Sequence, residues 1–234
     1  MKITYWSDFA CPYCYIGNTR LKRAIDDLNL DVEFDIRAFE LDQNAPRNVQ
    51  STTVERFAKK YGLSLEDAER QVSQISGLGH DEGIDFKYET TLYTNTRDAH
   101  RLMKLAQSKY PDKVGKLSES LFDAYFVENL KLADRDVLLK IALDTGLDEN
   151  DVKEVLNSDL YNIKVEEDED IALSAGIHAV PFYLFDNKYS IPGALSYDDF
   201  KKVLTQIIAE NEVDDDKETG SCSDGVCKIW NLNG

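Results

Sequence analysis

The chain has 234 residues and a formal net charge of −17, with 44 acidic side chains against 27 basic ones. A surplus of that size repels nucleic-acid phosphates and anionic lipid headgroups, which excludes both as favoured partners. Hydrophobic content of 42% and charged content of 30% describe a globular protein able to bury one good core without disulfide staples, and no segment approaches the run of about 20 apolar residues that spans a bilayer.

Lys2 to Trp6 reads as a first strand, filled by β-branched and aromatic residues with no breaker. Strand character this early leaves no room for a basic and apolar leader, so a cytoplasmic protein is expected; a chain already relieved of its leader would read the same way.

Cys11-Pro12-Tyr13-Cys14 follows. Proline suits the first position of a helix, which sets Cys11 at the N-cap, where unpaired N–H groups and the helix dipole favour an anion. A thiolate is such an anion, and it is the reactive form of cysteine. Cys11 is therefore expected to be an exposed nucleophile. Cys14, one turn further in, is expected to be more buried and able to attack a mixed disulfide on Cys11 and expel the bound thiol. Two other readings stay open on the residues alone. Half of a zinc site has the same spacing, although the proline and the strand-to-helix setting count against it. A structural disulfide is the other, although it would close a very short loop and constrain little.

Ile16, Leu21, Ile25 and Leu28 supply a helical face to about Asn29, and Val32 to Ile36 alternates as a strand. This is a β-α-β start. From about Thr52 to Ala175 the pattern is helical, with start signals at Thr52 with Glu55, Ser64 with Asp67, Asn95 with Asp98, Asp134, and Asp148 with Asp151. Gly62, Gly77, Gly79, Gly83 and Gly146 read as stops. Strand character returns at Phe182 to Phe185, followed by an Asp186-Asn187 turn and a second strand from about Lys188 to Ile191. Ser196 then caps a last helix with Phe200, Val203, Leu204, Ile207 and Ile208 on one face. Neither end buries its sheet alone, so the α/β unit is expected to comprise residues 1–45 and 176–212, with 46–175 as an all-helical insertion.

Residues 213–234 form an acidic tail carrying Cys222 and Cys227, with Ile229, Trp230 and Leu232 after them. The spacer is flexible enough for the two sulfurs to meet. A second redox pair that exchanges with Cys11 and Cys14, an inert disulfide and a weak metal-binding tail are all compatible with it. His100, beside Arg101 on a helix, reads either as a substrate contact or as a packing histidine. His80 and His178 carry no visible partner, so no histidine metal site is expected, and thiol-disulfide exchange needs no cofactor.

The Cys-x-x-Cys at a strand-helix junction, the hairpin preceded by Val180-Pro181 and the helical block between them resemble the DsbA branch of the thioredoxin superfamily over about Lys2 to Asn211. Trp6 to Gly17, Asn95 to Leu102 and Gly176 to Phe182 are similar to the FrnE-like DsbA proteins, thiol-disulfide oxidoreductases and isomerases of cytoplasmic type. The resemblance implies an α/β thioredoxin fold with a large helical insertion. It further implies a cis peptide bond at Pro181 set against the cysteine pair, with the Val180 backbone offering hydrogen bonds to an extended substrate; an ordinary trans proline opening an edge strand is the alternative. Substrate-binding positions are then Pro12, Tyr13, Val180, Pro181 and His100. Tyr13 stands where the periplasmic oxidant DsbA has histidine and supplies no positive charge to a thiolate, so a less oxidising disulfide is expected.

The function expected is exchange with disulfide- or thiol-containing proteins or small thiols, recycled by glutathione or a thioredoxin system. A glutathione-dependent isomerase or transferase of the same fold is the alternative, although such relatives generally carry serine where Cys11 stands. A non-enzymatic module holding a metal through its thiols is a third.

Overall fold

The computed structural model describes residues 1–214 and 227–228. β1 (Lys2–Ser7) pairs in parallel with β2 (Glu33–Ala38), and α1 (Pro12–Asp27) connects them. β3 (Phe182–Phe185) returns antiparallel to β1, with Tyr5 opposite Tyr183 and Trp6 opposite Phe182. β4 (Tyr189–Pro192) completes the hairpin through a three-residue loop, in which Asp186 and Asn187 take positive φ and the Lys188 N–H donates to the Phe185 carbonyl at 2.9 Å. α9 (Tyr197–Asp214) then packs against α1. A two-residue strand β5 (Cys227–Lys228) pairs with β4, so the sheet order is β2-β1-β3-β4-β5. Cys227 lies opposite Ser190, whereas Cys222 lies outside the described residues.

Between β2 and β3 run seven helices: α2 (Thr53–Tyr61), α3 (Leu65–Asp81), α4 (Arg97–Lys109), α5 (Val114–Phe126), α6 (Arg135–Thr145), α7 (Glu149–Leu156) and α8 (Asn162–Ser174). Their starts are chemical. Thr52 and Glu55 form a reciprocal capping box, and Ser64, Asp134 and Asp148 each accept a backbone N–H from the first turn that follows. Gly62 and Gly146 end α2 and α6 in the left-handed conformation.

Two expectations are corrected here. Gly77 and Gly79 do not stop a helix; both lie inside α3, which runs on to Asp81. Gly79 is there for proximity, because a Cβ on it would sit 2.5 Å from the Phe86 ring. Asn95 is not the cap of α4: the cap is Thr96, while Asn95 accepts the Arg97 N–H at 3.0 Å and donates to Glu40 at 3.3 Å.

Aromatic rings join the helical block to the sheet. Tyr15 of α1 stacks on Phe122 of α5 with centroids 5.1 Å apart, Phe9 meets the same ring at 5.1 Å, and Phe86 stacks on Phe126 at 4.6 Å. Asp168 of α8, itself buried, ties the far edge: its carboxylate accepts the Ala38 N–H at 2.8 Å and Arg37 at 3.0 Å, and its carbonyl accepts the Trp6 indole N–H at 2.9 Å.

The two neighbouring glycines of α3 give a test of this packing. Gly79→Ala is expected to destabilise by about 1–3 kcal/mol through overpacking against Phe86. Gly77→Ala, whose Cβ would meet nothing within 4 Å, is expected to stabilise by about 0.5–1 kcal/mol. Urea unfolding of both variants reads the difference in sign.

Candidate active site

Cys11 is the N-cap of α1, in extended backbone at φ −93° and ψ 114°, and Pro12 opens the helix. Its carbonyl accepts the Cys14 N–H at 3.1 Å, and its own N–H donates to the Asp8 carbonyl at 3.0 Å. One turn into the helix, Gly17 lets α1 press onto the hairpin: a Cβ there would lie 2.7 Å from the Tyr183 hydroxyl and 3.0 Å from Ala194. That contact brings together two motifs far apart in sequence. The Val180-Pro181 peptide bond is cis, and the Cys11 thiol donates to the Val180 carbonyl with Sγ 3.5 Å from the oxygen. Gly193 holds the turn from below by donating to the Pro181 carbonyl at 2.8 Å.

The burial of the pair differs from the exposed nucleophile expected. Cys14 is fully buried, and Cys11 is only 3% exposed. The reason is local: Pro12 is itself buried, and the Val180 backbone covers the sulfur from the other side. Tyr13, 43% exposed, is the part of the motif that faces solvent. Burial pushes the Cys14 thiol well above its ordinary range, and the neighbouring Cys11 side chain pushes it further. The Tyr13 hydroxyl is raised as well, first by burial and then by the charges of Cys11 and Tyr61.

Behind the cysteines lies a carboxylate that no sequence pattern marked as functional. Asp8, 2% exposed, accepts the Ala10 N–H at 3.1 Å and the Thr96 hydroxyl at 2.8 Å on one oxygen, and the Leu41 N–H at 2.8 Å on the other. His100 joins it with Nε2 3.5 Å from Asp8 Oδ1, its ring 4.9 Å from Phe9. Burial pushes the Asp8 carboxyl up, but the close approach of His100 and the two N–H groups outweigh it and hold it below the usual carboxylate range. The one signal that could have found Asp8 is its bond to the N–H two residues on, the Asx turn that Asp commonly makes.

His100 is 3% exposed, so the structure sets it beneath the cysteine loop and not on an open surface. Its neighbour Arg101 is equally buried, pairs with Asp98 at 2.8 Å and donates to the Val155 carbonyl at 2.5 Å, which holds α7 against α4. Among the described residues, no group of three or more His, Cys, Asp or Glu side chains is placed to hold a metal ion. A crevice of about 1170 Å³ runs between α1, β2 and α5 and is lined by neither cysteine nor Pro181.

Two measurements follow from these environments. With a small alkylating reagent at mildly alkaline pH, the reduced native protein is expected to lose Cys11 at least about tenfold faster than Cys14, a gap that should vanish on denaturation. Asp8→Asn is expected to cost about 1–3 kcal/mol near neutral pH, since a carboxamide cannot accept every bond that the two buried carboxylate oxygens take from Ala10, Leu41 and Thr96. A depressed carboxyl contributes its stability above its unfolded pKa of about 3.9 and loses it as pH falls through the lower folded value, so the two proteins should converge in acid unfolding.

Comparison with known proteins agrees with this geometry. The model of the DSBA-like thioredoxin domain family matches residues 2–205. The chain is similar in structure to a probable DsbA oxidoreductase from Streptomyces coelicolor, at 28% identity and a TM-score of 0.83 over 96% of this chain and 94% of that one. It is 25% identical to the uncharacterized protein YwbO of Bacillus subtilis over 87% of this chain and 95% of that protein. The cytosolic disulfide reductase DsbM from Pseudomonas aeruginosa, in its structure with GSH, shares the fold at 14% identity and a TM-score of 0.58 over 89% of this chain and all of that one. With a family match over residues 2–205, and a cysteine pair facing a cis-proline loop in the thioredoxin arrangement, this chain belongs to the DSBA-like thioredoxin domain family.

Proposed function

We propose that the protein is a thiol-disulfide oxidoreductase or isomerase that uses Cys11 as attacking thiol and Cys14 as resolving thiol. The observation that carries this reading is the Cys11 sulfur at a helix N-terminus, 3.5 Å from the carbonyl that precedes cis-Pro181, with Cys14 buried one turn behind it. The Cys11 thiolate attacks one sulfur of a substrate disulfide, forming a mixed disulfide and releasing the other half as a thiolate. Cys14, after losing its proton, attacks the Cys11 sulfur, closes the Cys11–Cys14 disulfide and releases the second thiol, so two electrons pass to the substrate. The same steps in reverse oxidise a dithiol.

The raised Cys14 thiol fits the second role, since it stays protonated and idle until the first step has been made. Pro12, Tyr13, Val180 and Pro181 would line the substrate path, with the Val180 backbone pairing to an extended segment. For His100, burial favours steadying Asp8 over touching substrate. Because Tyr13 brings no positive charge, the reduction potential is expected to lie well below the value of about −120 mV of a strong oxidant. The finer resemblance to FrnE-like proteins, a cytoplasmic setting and recycling by glutathione or a thioredoxin system belong to the same proposal. A DsbM structure with GSH makes glutathione a sensible first recycling thiol to test. Among the described residues, no helix is long and apolar enough to cross a membrane.

Cys14→Ser is the deciding variant. It is expected to accumulate mixed disulfides on Cys11 in cell extract while insulin reduction falls by at least about a hundredfold; a glutathione transferase or isomerase would keep its activity in that variant. Cys11→Ser should trap nothing. We infer that Cys222 and Cys227 act as a second pair, so replacing both by serine is expected to slow recycling of the Cys11–Cys14 disulfide while leaving single-turnover reduction of insulin unchanged.

A further inference from the structure

Arg56, on the inner face of α2, is a half-buried cation without a counter-ion. Arg20, Arg37, Arg97 and Arg101, the other arginines shielded from solvent, each lie within 4.0 Å of a carboxylate. Arg56 does not, in a chain that carries 44 carboxylate side chains. Its guanidinium instead lies over the Tyr93 ring, 3.7 Å from the centroid, and its Nε is buried with no hydrogen-bond partner. A shielded guanidinium with an idle donor is costly, and an aromatic face returns only part of that cost.

Bonded contacts lead from this cation to the cysteines. Tyr93 donates to Asp42 at 2.8 Å; the adjoining Leu41 donates to Asp8 at 2.8 Å; Asp8 accepts the Cys11 N–H at 3.0 Å. The Thr53 and Thr91 hydroxyls, 2.6 Å apart, fix the start of α2 to the same loop. Tyr88 feels both groups: burial raises its hydroxyl to about 12, Arg56 lowers it through its charge and a side-chain hydrogen bond, and the Cys11 charge raises it.

We propose that Arg56 is a substrate-binding residue that receives a carboxylate carried next to the exchanging sulfur, so that anionic thiols and disulfides are preferred over neutral or cationic ones. The inference rests on the exchange chemistry at Cys11 and adds to it the charge of the substrate. The guanidinium offers a planar fork suited to a carboxylate, and the surrounding tyrosines keep it from collapsing onto one of the protein's own acids. Without such a cation, a protein of net charge −17 would repel the substrates it is to bind.

Three small disulfides of opposite or no charge test this: 3,3′-dithiodipropionate, 2-hydroxyethyl disulfide and cystamine, each reacted with the reduced full chain. Arg56→Gln is expected to slow oxidation by the dianion at least about tenfold, to leave the neutral disulfide within about twofold and to speed reaction with the dication. Arg56→Lys should keep the wild-type order of the three substrates, which separates lost charge from lost folding. Added salt should slow the dianion in the wild type and not in Arg56→Gln. Equal losses for all three disulfides, or no loss for the dianion, would overturn the assignment. Binding of the non-reducible thioether 3,3′-thiodipropionate by calorimetry gives an answer independent of turnover: wild type binds and Arg56→Gln does not. If that binding is seen and no disulfide reacts, the exchange chemistry is at fault and not the anion site; if wild type fails to bind the thioether, the anion site itself is refuted.

Discussion

One buried carboxylate holds three separate stretches of chain in place. Asp8 accepts from the cysteine loop through Ala10, from the segment after β2 through Leu41, and from the start of α4 through Thr96, with His100 beside it. Its backbone carbonyl takes the Cys11 N–H as well. A charge buried this deeply is tolerable only when every oxygen is satisfied, so these bonds stand or fall together. The cysteine loop thus has its geometry set by the helical block as much as by the sheet. Thr96 and His100 come from the insertion, whereas Cys11 and Asp8 come from the first βα junction.

The same logic explains why a large helical insertion can interrupt a small sheet without loosening the site. Tyr15, one residue past Cys14, lies flat on Phe122 and extends the ring stack into α5, while Asp168 ties α8 to both parallel strands. The insertion is anchored on each side of the dithiol. Motion between the two parts would therefore be felt at the sulfur, through Tyr15 on one side and Asp8 on the other.

Much of this arrangement was legible in the residues, because it rests on local rules. Breaker-free strands, the Asp186-Asn187 turn, the Thr52 capping box and the proline after Cys11 act over a few positions, and their signals survive in one dimension. What escaped depends on long-range contact. Gly79 reads as a stop because glycine usually disfavours helices, yet it continues one to make room for Phe86. Asn95 reads as a cap because it precedes the right residues, yet Glu40, 55 positions away, engages its amide. Neither the role of Asp8 nor the isolation of Arg56 has any periodicity to announce it. The expected exposure of Cys11 failed for the same reason, since its cover comes from residue 180.

That cover has a bearing on survival of the thiol. A sulfur under the Val180 carbonyl and beside a buried proline presents little surface to hydrogen peroxide, which oxidises accessible thiolates through sulfenic to irreversible sulfinic and sulfonic acids. Should a sulfenic acid form, Cys14 stands ready to condense with it and return the residue to a reducible disulfide.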